Sequence, residues 1–150
     1  SRGLGDVYKR QVIVKEGKLL CLKVLDEQVC YYMLPGGKIG HVEDMFDSIK
    51  RHCFEKVNAN VKVHDLLFVR DYLSNYEACE HTIEHIFVCY PEDETEIQNG
   101  SYPDCNQVDV EWIPIRKFDQ YQFCPRRLQE VIIAFCKGED VDIYLDEVGY

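Results

Sequence analysis

This chain of 150 residues contains no apolar run approaching the ~20 residues of a membrane-spanning helix. Basic residues are in short supply: 17 Lys and Arg stand against 27 Asp and Glu, a net charge of −10. That balance excludes broad nucleic-acid binding and an anionic membrane surface as partners. It leaves room for a small phosphorylated ligand, for which one local cationic patch or a metal ion suffices. None of the eight cysteines is spaced C-x-x-C, and no secretory pattern leads into the first strand. Several cysteines lie in apolar runs such as LLCLKVL and IFVCY, where a reduced thiol packs as a small hydrophobe. Reduced thiols in a cytoplasm are therefore expected, and the sequon Asn99-Gly100-Ser101 is read as a plain loop.

The first eleven residues, SRGLGDVYKRQ, differ in character from the rest of the chain. They hold no initiator Met, and no apolar period leads into the strand expected at Val12. The string is similar to one that recurs at the ends of translated metagenomic reads. Residues 1–11 are therefore read as a non-native segment, with part of the first strand missing, and residues 12–150 as one domain. There are no internal repeats and no linkers.

VIVKEGKLLCLKVL reads as two strands around a Glu16-Gly17 turn, and VCYYM as a third. LPGGKIGHVED is a loop of demanding backbone geometry. Asp44 is the expected N-cap of a helix over about 45–57, with Asp47 in its first turn. Phe46, Ile49, Cys53 and Val57 form its apolar stripe, and Asn58 suits the left-handed residue that ends it. VKVHDLLFVRDYL and HTIEHIFVCY read as strands separated by the polar loop SNYEACE, and VDVEWIPI as another. PEDETEIQNGSYPD is an acidic loop without a period. A second helix over 126–137 turns Leu128, Val131, Ile132 and Phe135 inward and stops at Gly138. Strands, helix, strands, helix imply an α/β fold, a mixed sheet with helices on both faces.

On the first helix, residues 52, 55 and 56 are related by three and four positions and are expected to share a face away from the apolar stripe. The glycine loop before it, Gly36-Gly37-Lys38, brings bare backbone near that face. Such a joint can set carbonyls and carboxylates around a divalent ion. LPGGKIGHVEDMFDSIKRHCFEKVNA resembles the signature of the Nudix hydrolases, G-x5-E-x7-R-E-U-x-E-E-x-G-U with U apolar. Gly37, Glu43, Arg51 and Glu55 fall on its fixed positions without a gap, and Cys53 and Ala59 on apolar ones. PDCNQVDVEWIPI, CPRRL and DIYLDEV resemble later parts of one Nudix branch, so the likeness runs from Val12 to the C-terminus.

The resemblance implies a Nudix-type α/β/α sandwich with a mixed β-sheet. It also implies a pyrophosphatase that cleaves a nucleoside diphosphate derivative, using Mg²⁺ or Mn²⁺. Glu43, Glu55, Glu84 and Arg51 would be the catalytic set, with Arg51 bracing Glu43. Gly36, Glu55 and His52 would face the metal; Lys38, Lys56 and Arg70 would face the substrate. Four positions depart from the signature. His52 and Lys56 replace glutamates, Val42 replaces the Gly before Glu43, and Asn58 replaces the Gly that ends the helix. His52, Glu55 and Lys56 sum to about zero charge where three carboxylates would give −3, and neither His nor Lys offers Mg²⁺ an oxygen. Magnesium binding is expected to be lost or weak, leaving activity weak or absent and the cofactor unnecessary.

The polar face has three alternative uses. Lys56 can hold a diphosphate directly. His52 and Glu55, with Glu43 or Glu84, can hold a softer ion such as Mn²⁺ or Zn²⁺. Or the face is merely solvated. Glu84 is either an accessory acid or a strand-end charge in water, and Arg70 either a phosphate contact or the partner of a neighbouring acid. His81 and His85 are read as hydrogen-bonding or surface residues rather than ligands, and Tyr31, Tyr32 and Tyr72 as base-stacking or core aromatics. The functional reading is a degenerate hydrolase or a non-catalytic module for nucleotides or phosphometabolites. A homodimer is compatible with either, and nothing positive points to a purely structural role.

Overall fold

The computed structural model describes residues 6–40, 42–75, 80–93 and 96–147. Strand β1 (Asp6–Lys15) turns through Glu16 and Gly17 into β2 (Lys18–Asp26). Both turn residues have positive φ, 51° and 73°, the hand that a two-residue hairpin loop requires. β3 (Val29–Met33), β4 (Gly36–Lys38), helix α1 (Met45–Val57), β5 (Val61–Asn75) and β6 (Glu80–Pro91) come next. The chain ends with β7 (Gln107–Pro114), a 3-10 turn (Ile115–Gln120), helix α2 (Arg126–Cys136) and β8 (Tyr144–Glu147).

The sheet runs β3-β2-β1-β6-β5-β8, with β4 paired to β1 and β7 to β2. β1–β6 and β5–β8 are parallel and the other strand pairs antiparallel, so the sheet is mixed. Consecutive apolar residues on the central strands serve opposite faces. Val12, Leu19, Cys21 and Ile86 join Leu128, Val131 and Ile132 of α2 in one core. Ile13, Leu20, Leu22 and Phe87 join Ile49, Cys53 and Val57 of α1 in the other. The result is the expected α/β/α sandwich, built on strands buried from both sides.

The structure differs from the sequence reading in local ways. β1 begins at Asp6, six residues before Val12, and Lys9 and Gln11 on it are buried, a polar strand that apolar periodicity misses. The glycine loop contributes a strand, β4, whose Gly36 pairs with Arg10. Phe46 and Phe135, expected inward, are exposed edges of the two cores, touching Phe87 and Phe68 respectively edge-on. The SNYEACE loop falls partly on residues 76–79, outside the described residues.

Helix α1 starts where Asp44 accepts a hydrogen bond from Asp47 N and ends at Asn58, which adopts the left-handed conformation (φ 56°, ψ 36°). The segment from 96 onward then lies across its last turn. Tyr102 N, Gly100 N and Gln98 N donate to the carbonyls of Glu55, Lys56 and Val57 at 2.9, 3.0 and 3.1 Å. Asn58 Nδ2 donates to Glu96 O. Carbonyls that a helix end leaves unpaired are thus satisfied by one strap of chain. Gly100 lets it approach: a Cβ there would lie 2.8 Å from Phe54 O and closer still to the Glu55 carbonyl, with backbone on both sides. Gly100→Ala is expected to destabilise the protein by about 2–3 kcal/mol in urea unfolding, whereas an equally stable variant would mean the strap is not held closely.

Candidate functional site

The loop-to-helix joint is braced by one guanidinium. Arg51 donates from Nε to Glu43 Oε2 at 3.0 Å and from Nη2 to Glu43 Oε1 at 2.6 Å, a bidentate pair. Its remaining nitrogen, Nη1, donates to Glu55 Oε1 at 3.2 Å, one turn along the helix. Gly40 N donates to Glu43 Oε1, tying the loop to the same carboxylate. These hydrogen bonds, Arg51 first, hold the Glu43 carboxyl down at about 2.

His52 does not share the face of Glu55 and Lys56. It is buried beneath the helix, and Gly37 lies so near its ring that a Cβ there would sit 2.9 Å from Cε1. Lys9, fully buried on β1, donates from Nζ to His52 Nδ1. Burial, then the charges of Lys9, Arg51 and Lys56, lower His52 to about 3, so its imidazole is neutral at neutral pH. Burial likewise lowers Lys9 to about 7. Helical spacing alone allowed residue 52 to join 55 and 56; in the fold His52 packs inward with Cys53, against Lys9 of β1.

Lys56 pairs with Asp104 at the far end of the strap. On the opposite side of the sheet, Glu84 is 2% exposed and not the solvent-facing charge weighed from sequence. It accepts from Arg10 Nε at 2.9 Å and from Arg70 Nε at 3.1 Å. The Arg70 guanidinium also lies 4.0 Å from the centre of the Tyr72 ring, a cation–π contact. These groups line a cleft of about 230 Å³ with Met33, Leu34, Cys124, Pro125 and Leu128. Lys38 is exposed on β4, opposite Tyr8. His81 is hydrogen-bonded to Asp71, and Tyr144 donates to the same carboxylate. Tyr32 packs edge-on against Tyr121 beside the α2 core, and Tyr31 borders the core under α1.

Comparison with solved structures gives close matches throughout the chain. A Nudix hydrolase from Nitrosomonas europaea superposes with a TM-score of 0.74 at 15% identity, covering 97% of this chain and 80% of that one. The fold is that of the Nudix hydrolases. An ADP-ribose pyrophosphatase from Streptococcus suis matches with a TM-score of 0.67 at 14% identity, over 95% of this chain and 99% of that one. A UDP-X diphosphatase matches with 0.69 at 18% identity, over 97% of this chain and 69% of that one. Comparison with protein-family models gives no match, and comparison with curated protein sequences gives none either.

Placed on the Nudix fold, Glu43, Arg51 and Glu55 stand together at the loop-to-helix joint, and Gly36 and His52 lie between that joint and β1. Glu84 and Arg70 stand apart from them, in the cleft beside α2. Among the described residues no three His, Cys, Asp or Glu side chains group so as to hold a metal ion. Sequence reasoning missed Lys9 and Arg10, which lie in the segment set aside, and Asp104, which lies in an acidic loop without period. The only signal for Asp104 was an unmatched Lys56.

The depressed Glu43 has a definite acid signature. Its folded value, about 2, lies below the ordinary 4.5, so the stability it supplies is complete above pH 4.5 and is lost as pH falls toward 2. Arg51→Ala should cost about 1 kcal/mol at neutral pH, since the pair is partly solvated. It should also flatten this acid limb in pH-dependent urea unfolding; an unchanged limb would assign it to other groups.

Proposed function

We propose that this chain binds a nucleoside diphosphate derivative without needing a metal, and hydrolyses it weakly or not at all. One observation carries the reading: the three acids that the resemblance assigns to catalysis, Glu43, Glu55 and Glu84, are each bonded to a cation of the same chain. Arg51 engages Glu43 and Glu55, while Arg10 and Arg70 engage Glu84. The donor set does not fit Mg²⁺, which takes oxygen ligands in near-octahedral array. His52 gives its Nδ1 to Lys9, Lys56 brings an ammonium, and Glu55 alone supplies a carboxylate at the three signature positions. At ~4 Å and an effective dielectric of 20, like unit charges repel by about 4 kcal/mol, so a divalent ion beside Lys56 is opposed strongly. A softer ion on His52 finds Nδ1 already hydrogen-bonded.

The cleft beside α2 supports the binding half of the reading. Two guanidiniums, those of Arg10 and Arg70, face one carboxylate there, in a chain of net charge −10. Tyr72, Met33, Leu34 and Leu128 supply apolar walls on which a flat base can rest. Neighbours of the same fold carry names that specify such compounds, ADP-ribose and UDP-X. The reading places the protein in a cytoplasm, as monomer or homodimer. Residues 1–11 are still proposed to be foreign to the natural chain, in which case Lys9, the partner of His52, and Arg10, one of the two arginines on Glu84, are specific to this sequence as it stands and Arg70 is the cleft's own cation.

Phosphate release from a panel of nucleoside diphosphate derivatives, with Mg²⁺ or Mn²⁺, is expected to fall roughly 10²-fold or more below that of an intact Nudix hydrolase, given two replaced ligands. Calorimetric binding of at least one such compound should persist in EDTA. Metal-dependent turnover at the level of intact hydrolases would overturn the proposal, and so would binding that EDTA abolishes.

A further inference from the structure

The cleft beside α2, at about 230 Å³, is smaller than the ~300 Å³ at which pockets enclose drug-sized ligands. It therefore takes one end of a nucleoside diphosphate derivative, and the way Arg70 is held decides which. Arg70 and Tyr72 are two positions apart on β5 and share one sheet face. In register, Arg70 lies opposite Glu84 of β6 and beside Leu145 of β8. Glu84 Oε1 accepts from Arg70 Nε at 3.1 Å, and the two side chains are only 2% and 4% exposed. The guanidinium carbon lies 4.0 Å over the centre of the Tyr72 ring. One edge of the guanidinium is thus bound to a carboxylate, and one flat face is set against an aromatic ring. Met33, Leu34, Pro125 and Leu128 wall the same cleft with apolar surface.

We propose that the cleft is a nucleobase subsite: the base stacks on the Arg70 guanidinium, with Tyr72 behind it and Glu84 at its edge, and the diphosphate stays outside. The inference rests on the metal-free binding reading and names the end of the ligand that enters. A guanidinium is planar and weakly hydrated, so it stacks on π-systems, and a base extends the pile that Tyr72 begins. A phosphate is the poorer occupant. It needs in-plane donors, of which Nε is already given to Glu84, and it sets its own charge against that carboxylate between apolar walls. Arg70 is then a stacking platform and not the phosphate contact weighed from sequence. Every residue the proposal uses lies within 12–150, so it does not depend on Arg10.

The experiment is calorimetry in EDTA with adenosine, guanosine, cytidine, uridine, ADP and inorganic pyrophosphate. It is joined to peptide-mapped alkylation of Cys124, an exposed thiol on the cleft wall. At least one nucleoside should bind, with an affinity that changes less than about two-fold between low and high salt, because no charged contact is there to be screened. That nucleoside should slow alkylation of Cys124, and pyrophosphate should leave the rate unchanged. Arg70→Lys keeps the charge and loses the plane, so it should weaken nucleoside binding roughly ten-fold. Circular dichroism verifies its fold, and if it is unfolded, Cys124 protection in the unaltered protein decides alone. Protection of Cys124 by pyrophosphate would overturn the inference, and so would nucleoside binding that a folded Arg70→Lys leaves unchanged; both leave the metal-free binding reading intact. Failure of every nucleoside to bind would overturn it as well; binding of ADP and the wider panel in EDTA then decides the broader reading separately.

Discussion

Strands β1, β2 and β6 carry apolar side chains at consecutive positions, which a sheet can accommodate only if both of its faces are covered. That requirement sets the molecule. Leu19 and Cys21 look toward α2 while Leu20 and Leu22 look toward α1, and each helix presents one stripe to receive them. Because the sheet is fixed on both sides, the segments joining sheet to helix have little freedom. The loop before α1, and the strap between β6 and β7 that crosses its end, are therefore placed by the packing, and the polar groups they carry meet whatever the packing puts opposite.

What they meet is charge of the opposite sign. Arg51 shares one guanidinium between two acids, Lys56 faces Asp104, and Arg10 and Arg70 close on Glu84. Here cations of the chain itself engage these acids, and at the joint one guanidinium serves two carboxylates. The neutral His52 fits the same pattern, since a protonated imidazole beneath the helix would stand against the Lys9 ammonium.

Much of this was legible in the sequence because it depends on local rules. Asp44, Asn58 and the Ile49, Cys53, Val57 stripe placed α1 correctly, since caps and periodicity act within a few residues. The fixed spacing of Gly37, Glu43, Arg51 and Glu55 located the joint and the fold. The misses share a cause of another kind. Lys9, buried in a polar strand, and Glu84, closed by two arginines far off in sequence, depend on strand register, which no local pattern encodes. The side on which His52 falls depends on how α1 is seated on the sheet. Asp104 depends on a long connection folding back across a helix end, where neither helix nor strand periodicity applies.

The pairing of Lys56 with Asp104 also bears on how such a chain can vary. Restoring a carboxylate at 56 by one substitution would set it against Asp104, on a turn whose shape Gln107 holds. Changing 104 alone would leave an ammonium half out of water with its partner gone. Either single step is electrostatically unfavourable, and a paired change of sign avoids the like-charge contact. Positions 56 and 104, 48 residues apart, are thus coupled electrostatically, and a change of sign at the helix end is felt at both.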